Sequence, residues 1–167
     1  MKNFGKCIIF SAPSGSGKTT LVRELLKKNE LNLSFSISAT TRNKRQGEIN
    51  GKDYFFKSKL DFKELIKNNQ FLEFEEVYED VIGGIKLKKF FQHDALAVFV
   101  KPPSIEELRK RLVSRASDSL ESINSRVEKA VKEIESESSF DVTIINNDLI
   151  TAKKESYNIV KNFLINE

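Results

Sequence analysis

The sequence predicts an α/β fold with a mainly parallel central sheet. Three observations carry this. Apolar runs of strand length stand at 7–11, 96–100 and 142–145, helical patterns separate them, and a glycine- and serine-rich turn joins the first run to the first helix. Strands that alternate with helices read as crossover units, whose strands lie parallel and are buried on both faces.

The elements follow in order. Residues 7–11 are the first buried strand, and 12–17 a Pro/Ser/Gly turn. A helix follows over 17–28, with Leu21, Val22, Leu25 and Leu26 on one stripe. A second strand is expected at 33–38. Residues 40–53 are polar, basic and turn-rich, and Asn50-Gly51 favours a hairpin turn before a short strand at 54–56. Residues 60–68 read as a helix burying Phe62, Leu65 and Ile66, and 71–78 as a strand carrying acidic residues. Gly83-Gly84 reads as a turn, with a short helix to Phe91 behind it. After the strand at 96–100, Ser104 is placed to cap a helix, with Glu107 at the capping-box position and Ile105, Leu108 and Leu112 as the apolar stripe. A charged helix over 121–136, a strand at 142–145 and a helix over 150–164 complete the chain.

Composition bounds the class. The 167 residues, 39% hydrophobic and 31% charged, suit one globular domain rather than a disordered chain. The net charge of +4 is spread along the chain and suits a phosphate-bearing substrate. It forms no long basic block of the kind that tracks a nucleic acid, so no nucleic-acid partner is expected. Cys7 is the sole cysteine, so no intrachain disulfide can form, and it reads as a small core residue rather than a nucleophile. His93 is the sole histidine, has no cluster for zinc and is expected on a surface loop. No apolar run reaches membrane-spanning length, and the N-terminus is not a signal peptide. A cytoplasmic enzyme, monomeric or weakly self-associating, is the expectation.

The strongest motif is Ala12-Pro13-Ser14-Gly15-Ser16-Gly17-Lys18-Thr19, followed by Thr20. It is a P-loop in which Ala12 replaces the first glycine. A polyphosphate needs several backbone N–H groups aimed into one concavity, and glycines let the chain wrap that closely. The helix behind adds its N-terminal N–H groups and dipole. Lys18 supplies a point charge to the terminal phosphates, and the Thr19 hydroxyl suits Mg²⁺. Ala12 is compatible if its backbone needs no positive φ. The motif gives a nucleoside triphosphate site without naming the acceptor.

The next segment runs from Ser36 through Ser38, Thr40-Thr41-Arg42, Arg45 and Gly47-Glu48, and then Gly51-Lys52-Asp53-Tyr54-Phe55-Phe56. Planar guanidinium forks at Arg42 and Arg45 suit a monophosphate, and the Tyr54 hydroxyl can add a bond. The alternative for these arginines is a surface pairing with Glu48. With the P-loop, these residues strongly resemble the guanylate kinase family in order and spacing, and the resemblance continues through 99–103, 109–126 and 144–148. It implies a P-loop NTPase-type three-layer fold with a small β-rich GMP-binding insertion at 34–80 and a helical lid at 111–137. The core would then comprise 1–33, 81–110 and 138–167. It implies ATP and GMP as substrates, Mg²⁺ as cofactor and a role in purine nucleotide metabolism. By the same resemblance Arg42, Arg45 and Tyr54 hold the GMP phosphate, while Glu73 and Ser38 contact the guanine. Arg111, Arg115 and Arg126 close over the triphosphate, with Ala116-Ser117 standing where Gly-Thr is usual, and Asn146 lies near the adenine.

The chain departs from the family's pattern at one place. Tyr78-Glu79-Asp80 runs directly into Val81-Ile82-Gly83-Gly84. A Tyr-Tyr-Gly-[ST] turn, a helix and a buried strand ending in an Asp-x-Asp-like motif are absent between them. Either residues are omitted there or the deletion is genuine; a sheet that loses a central strand is left with a hole, which favours omission. Asp80 correspondingly has two assignments, a surface acid or the family's base- and magnesium-proximal aspartate. Three other readings stay in view: a kinase for a different acceptor, a catalytically defective relative, and a protein-binding guanylate-kinase-like module.

Overall fold

The computed structural model describes residues 5–44, 47–52, 54–71, 80–114 and 119–165, with the backbone alone at 80–83. Strand β1 (Cys7–Ser11) leads through the P-loop into helix α1 (Lys18–Leu26). Two-residue strands β2 (Ala39–Thr40) and β3 (Phe55–Phe56) follow, then helices α2 (Lys59–Lys67) and α3 (Asp80–Phe91). Strand β4 (Ala95–Lys101), helices α4 (Ile105–Ser114) and α5 (Leu120–Glu135), strand β5 (Val142–Ile145) and helix α6 (Leu149–Ile165) complete the order.

Among the described residues the main sheet has the order β1-β4-β5, and both ladders are parallel, with Cys7 opposite Ala95 and Val98 opposite Val142. The central strand β4 is buried from Ala95 to Val100. Its alternate residues serve two layers. Leu96, Val98 and Val100 join Leu21 and Leu25 of α1 and Ala152 and Val160 of α6 in one core. On the other side α3 lies on β1 so closely that a Cβ at Gly84 would overlap the Ser11 hydroxyl and come within 3.3 Å of Ile9 and Phe140. Asp141 extends the β4–β5 ladder. Its Oδ2 accepts from the Ala97 N–H at 2.8 Å and meets Lys88 Nζ at 2.9 Å, which ties α3 to the sheet.

Several expectations change. The strand expected at 33–38 is shorter and later, because only Ala39 and Thr40 find a ladder partner. Asn50-Gly51 does form a turn, with Gly51 at φ 77 and its N–H bonded to the Tyr54 carbonyl at 2.8 Å. It does not close a hairpin, since β2 and β3 pair in parallel. Gly83-Gly84 is not a turn but lies inside α3, where close packing on β1 outweighs poor helix propensity. Phe62, Leu65 and Ile66 share a half-buried face of α2, which has no fully buried residue. Cys7 is half-buried, and His93 is exposed in a short 3₁₀ turn. The strand expected at 71–78 falls, after Phe71, outside the described residues.

Candidate active site

The P-loop is set at the C-terminal end of β1 by its own backbone and by its neighbours. The Ser16 N–H closes a turn onto the Pro13 carbonyl at 3.1 Å, and the Gly17 carbonyl accepts from Thr20 and Leu21 at 3.0 and 3.1 Å. Gly17, at φ 97, is the left-handed cap of α1, a conformation that an L side chain resists. Ala12 is 2% exposed and lies outside the positive-φ residues, so its lack of resemblance to glycine costs the loop nothing. Beneath the loop, α4 supplies the floor. A Cβ at Gly15 would come to 3.0 Å from Leu108 and 3.1 Å from Leu112. Ser16 is fully buried, and its hydroxyl makes no hydrogen bond.

Lys18 is the first residue of α1, half-buried; Thr19 and Thr20 follow and are exposed, as is Ser14 at the loop's tip. This puts a cation and a hydroxyl beside the helix N-terminus, where the dipole already favours an anion. The Thr19 hydroxyl is a hard oxygen donor. That donor chemistry fits Mg²⁺, which keeps several waters and takes few protein ligands beside substrate phosphates.

Asn146 stands one residue past β5 and is 4% exposed. Its side-chain amide donates to the Ser16 carbonyl at 2.7 Å, so it reaches the phosphate loop itself.

On the acceptor side, Arg42 is half-buried and both of its terminal nitrogens face the Glu48 carboxylate, Nη1 at 2.7 Å from Oε2 and Nη2 against Oε1. Nη1 also donates to the Asn43 carbonyl at 2.9 Å. The guanidinium lies over the rings of Tyr54 and Phe56, with centroids at 4.9 and 5.5 Å. The Glu48 carboxylate holds the Arg42 pKa above its ordinary value. Ser38 is exposed, and its carbonyl anchors β3 by accepting from the Phe55 N–H at 2.8 Å. The structure thus brings Arg42 and Tyr54 together, and the pairing with Glu48 coexists with that arrangement. Arg45 and Glu73 lie outside the described residues, and Asp80 is the first residue of α3.

The expected lid residues fall on two helices. Arg111 lies between Leu108 and Leu112 on α4, and its Nε donates to Glu107 at 3.0 Å. The Ser104 hydroxyl caps the same helix, accepting from the Glu107 N–H at 3.0 Å. Arg126 is half-buried on α5, which packs on α4 through Leu108, Leu112, Ile123, Val127 and Ala130. Arg115 lies outside the described residues. The boundary expected at 110/111 falls within α4.

A glycine loop turning from a buried parallel strand into a helix N-terminus, with lysine and threonine at its start, defines a P-loop nucleotide-binding α/β protein. The comparisons narrow the class. The family model described as guanylate kinase matches residues 4–88 and 82–167, and the chain belongs to that family. A guanylate kinase from Bacteroides fragilis is 45% identical over 184 positions that take in 95% of this chain and 90% of that protein. One from Rickettsia prowazekii is 38% identical, with 99% of this chain and 98% of that protein covered. The crystal structure of guanylate kinase from Anaplasma phagocytophilum superposes with a TM-score of 0.76 at 25% identity, covering 99% of this chain and 89% of that one. The comparisons also bear on the break in the sequence. With 95% of 167 residues spread over 184 aligned positions, about 25 positions of the Bacteroides protein have no counterpart here. The two family matches meet at 82–88, beside the junction of Asp80 and Val81.

Proposed function

We propose that this chain is a nucleoside monophosphate kinase that transfers the γ-phosphoryl group of ATP to GMP, giving ADP and GDP, with dGMP as a further acceptor. The observation that carries the reading is an intact phosphate loop on a chain that belongs to the guanylate kinase family over nearly its whole length. A catalytically defective or protein-binding relative is not favoured, because relatives at 37–45% identity over most of the chain bear the enzyme's name.

The residues divide the work. The backbone of 12–17 and the N-terminus of α1 cradle the triphosphate, and Lys18 neutralises charge on its terminal phosphates. The Thr19 hydroxyl would hold Mg²⁺, and the ion would supply further charge neutralisation there. Arg42, with Arg45 and Tyr54, orients the acceptor phosphate. That phosphate is already an anion, so no general base is needed and the chemistry is positioning and electrostatics. Glu73 offers guanine two carboxylate oxygens for its N1–H and N2 amino group, with Ser38 beside the base. Arg111, Arg115 and Arg126 stabilise the transferring group and exclude water as a competing acceptor. In this division 34–80 is the acceptor unit, 111–137 the lid and the remainder the core. Among the described residues no helix is long and apolar enough to cross a membrane, and we place the enzyme in the cytoplasm as a monomer or weak homo-oligomer without a nucleic-acid partner.

The test is ADP formation from Mg-ATP with GMP, dGMP, AMP, CMP or UMP as acceptor. Turnover dependent on GMP is expected. Preference for another monophosphate would reassign the acceptor, and a folded chain inert with all five would sink the kinase reading.

A further inference from the structure

We infer that Asn146 is a positioning residue for the phosphate loop: its amide fixes the Ser16 carbonyl and so orients the Gly17 N–H toward the ATP phosphates. This rests on the reading of residues 12–19 as the ATP site, and it gives Asn146 a task different from contact with the adenine.

The donor is unambiguous. A backbone carbonyl only accepts, so the atom of Asn146 at 2.7 Å from the Ser16 oxygen is its NH₂ group. Among the described residues no peptide bond is cis, and in a planar trans peptide the Ser16 C=O and the Gly17 N–H point in opposite directions. Holding one therefore aims the other. Gly17 is the left-handed residue at the start of α1, so the hinge of the loop lies at the gripped peptide.

The grip itself is rigid. The Asn146 N–H donates to the Lys101 carbonyl at 2.8 Å, which prolongs the β4–β5 ladder by one residue, and the Asn147 N–H turns back onto Ile145 at 2.9 Å. Two residues on, Asp148 caps α6, its Oδ1 accepting from the Thr151 N–H at 2.8 Å and hydroxyl at 2.7 Å. The Asn146 side chain is 4% exposed, so solvent does not compete for its amide. Contact extends to the next loop residue as well. A Cβ on Gly17 would overlap Nδ2 of Asn146, so the glycine is required for the approach of this side chain in addition to its φ. The far end of the sheet thus braces a loop that lies 130 residues earlier in the chain.

The test uses the full chain, with Mg-ATP affinity measured by calorimetric titration and KM for GMP measured separately. Asn146→Asp keeps the shape and sets a carboxylate against the Ser16 carbonyl. At about pH 8 it is expected to weaken Mg-ATP binding ~10- to 100-fold with GMP KM within about twofold of the parent, because a buried acceptor loses its donor. At about pH 5.5 the ratio to the parent should shrink, because a buried carboxyl protonates readily and then donates. Asn146→Ser, which cannot span the gap, should lose ~10-fold without recovery at low pH, and it serves if Asn146→Asp does not fold. Folded variants that bind Mg-ATP like the parent, or that raise GMP KM as much as they weaken ATP, would overturn the brace. Lys18→Ala is the control. If its Mg-ATP affinity collapses while the Asn146 variants bind normally, the brace alone fails; if it too binds normally, the ATP site itself has been misread.

Discussion

The phosphate loop rests on a buried parallel sheet, two helices of the core and the floor made by α4, whereas among the described residues Arg42 and Tyr54 rest on two strands of two residues each and on contacts within fourteen positions of the sequence. Each loop residue from Ser11 to Ser16 other than Ser14 and Gly15 is buried, while the acceptor side exposes Phe35, Ile49 and Phe55 and carries a helix, α2, with no buried side chain. The loop read as the ATP site is therefore packed into the core of the fold. Among the described residues of the proposed acceptor side, the Arg42 guanidinium meets the Glu48 carboxylate and lies over the rings of Tyr54 and Phe56. The difference teaches that the two sets of proposed site residues are supported differently: the loop by contacts from distant elements, Arg42 and Tyr54, among the described residues, by contacts from nearby in the sequence. The two family matches meet within α3, the helix that packs on β1.

Substitutions at six positions sharpen or break this contrast. If Lys18 neutralises the terminal phosphates as proposed, Lys18→Ala should reduce turnover by ~10²- to 10³-fold or more while the thermal midpoint stays put. A large drop in the midpoint would mean that Lys18 supports the fold rather than the chemistry.

Arg42→Ala should lower kcat/KM for GMP by about 10²-fold and leave Mg-ATP affinity intact, and Arg42→Lys should not rescue it, because a point charge cannot replace a planar fork. Equal loss for both nucleotides would erase the division into halves. Glu48 makes the same test from the other side: if its carboxylate only aligns Arg42, Glu48→Gln raises KM for GMP and leaves that for ATP unchanged.

Gly84→Ala should destabilise the chain by about 1–3 kcal/mol in urea unfolding, through a methyl group forced against Ser11, Ile9 and Phe140. Leu60→Ala, at a side chain 76% exposed on the acceptor side, should stay within about 0.5 kcal/mol of the parent. Similar costs at the two positions would contradict the picture of one packed half and one open half.

The smallest effect concerns Asp148. Its bonds to the hydroxyl and N–H of Thr151 hold its carboxyl below the ordinary aspartate range. A depressed folded-state pKa stabilises the fold above the unfolded value, about 3.9, and the contribution fades as pH falls through the folded value. The gap in thermal midpoint between the parent and Asp148→Ala should be open at neutral pH and should close as the solution is acidified below that range. A gap that widens on acidification would show that the carboxylate is not the stabilising form.

Much of the core was legible because its signals are local. The apolar runs at 7–11 and 142–145 became β1 and β5 with the bounds expected, Ser104 caps α4 as its spacing with Glu107 implies, and the P-loop carries its own glycine at the left-handed position. Two of the expected elements that changed did so because their conformation depends on tertiary partners. Gly83-Gly84 reads as a turn by propensity, yet Gly84 is helical because only a residue without a side chain lets α3 lie on β1. Asn50-Gly51 reads as a hairpin, yet the strand beyond it pairs in parallel with β2, since the ladder partner is chosen by tertiary packing rather than by the turn. The sequence offers the pairing of Arg42 with Glu48 as an alternative to phosphate binding; the structure adds the rings of Tyr54 and Phe56 beside it.

By itself the sequence determined the class of protein, the phosphate loop and the helices and strands whose apolar period is complete within one segment, because backbone dihedrals and caps are set by residues a few positions apart. Only the tertiary structure decided that Asn146 grips the loop, that Leu108 and Leu112 underlie Gly15 and that α3 closes on the first strand. Those contacts join residues about 70 to 130 positions apart, and no local pattern encodes them, since they exist only once the parallel sheet has brought its C-terminal ends together.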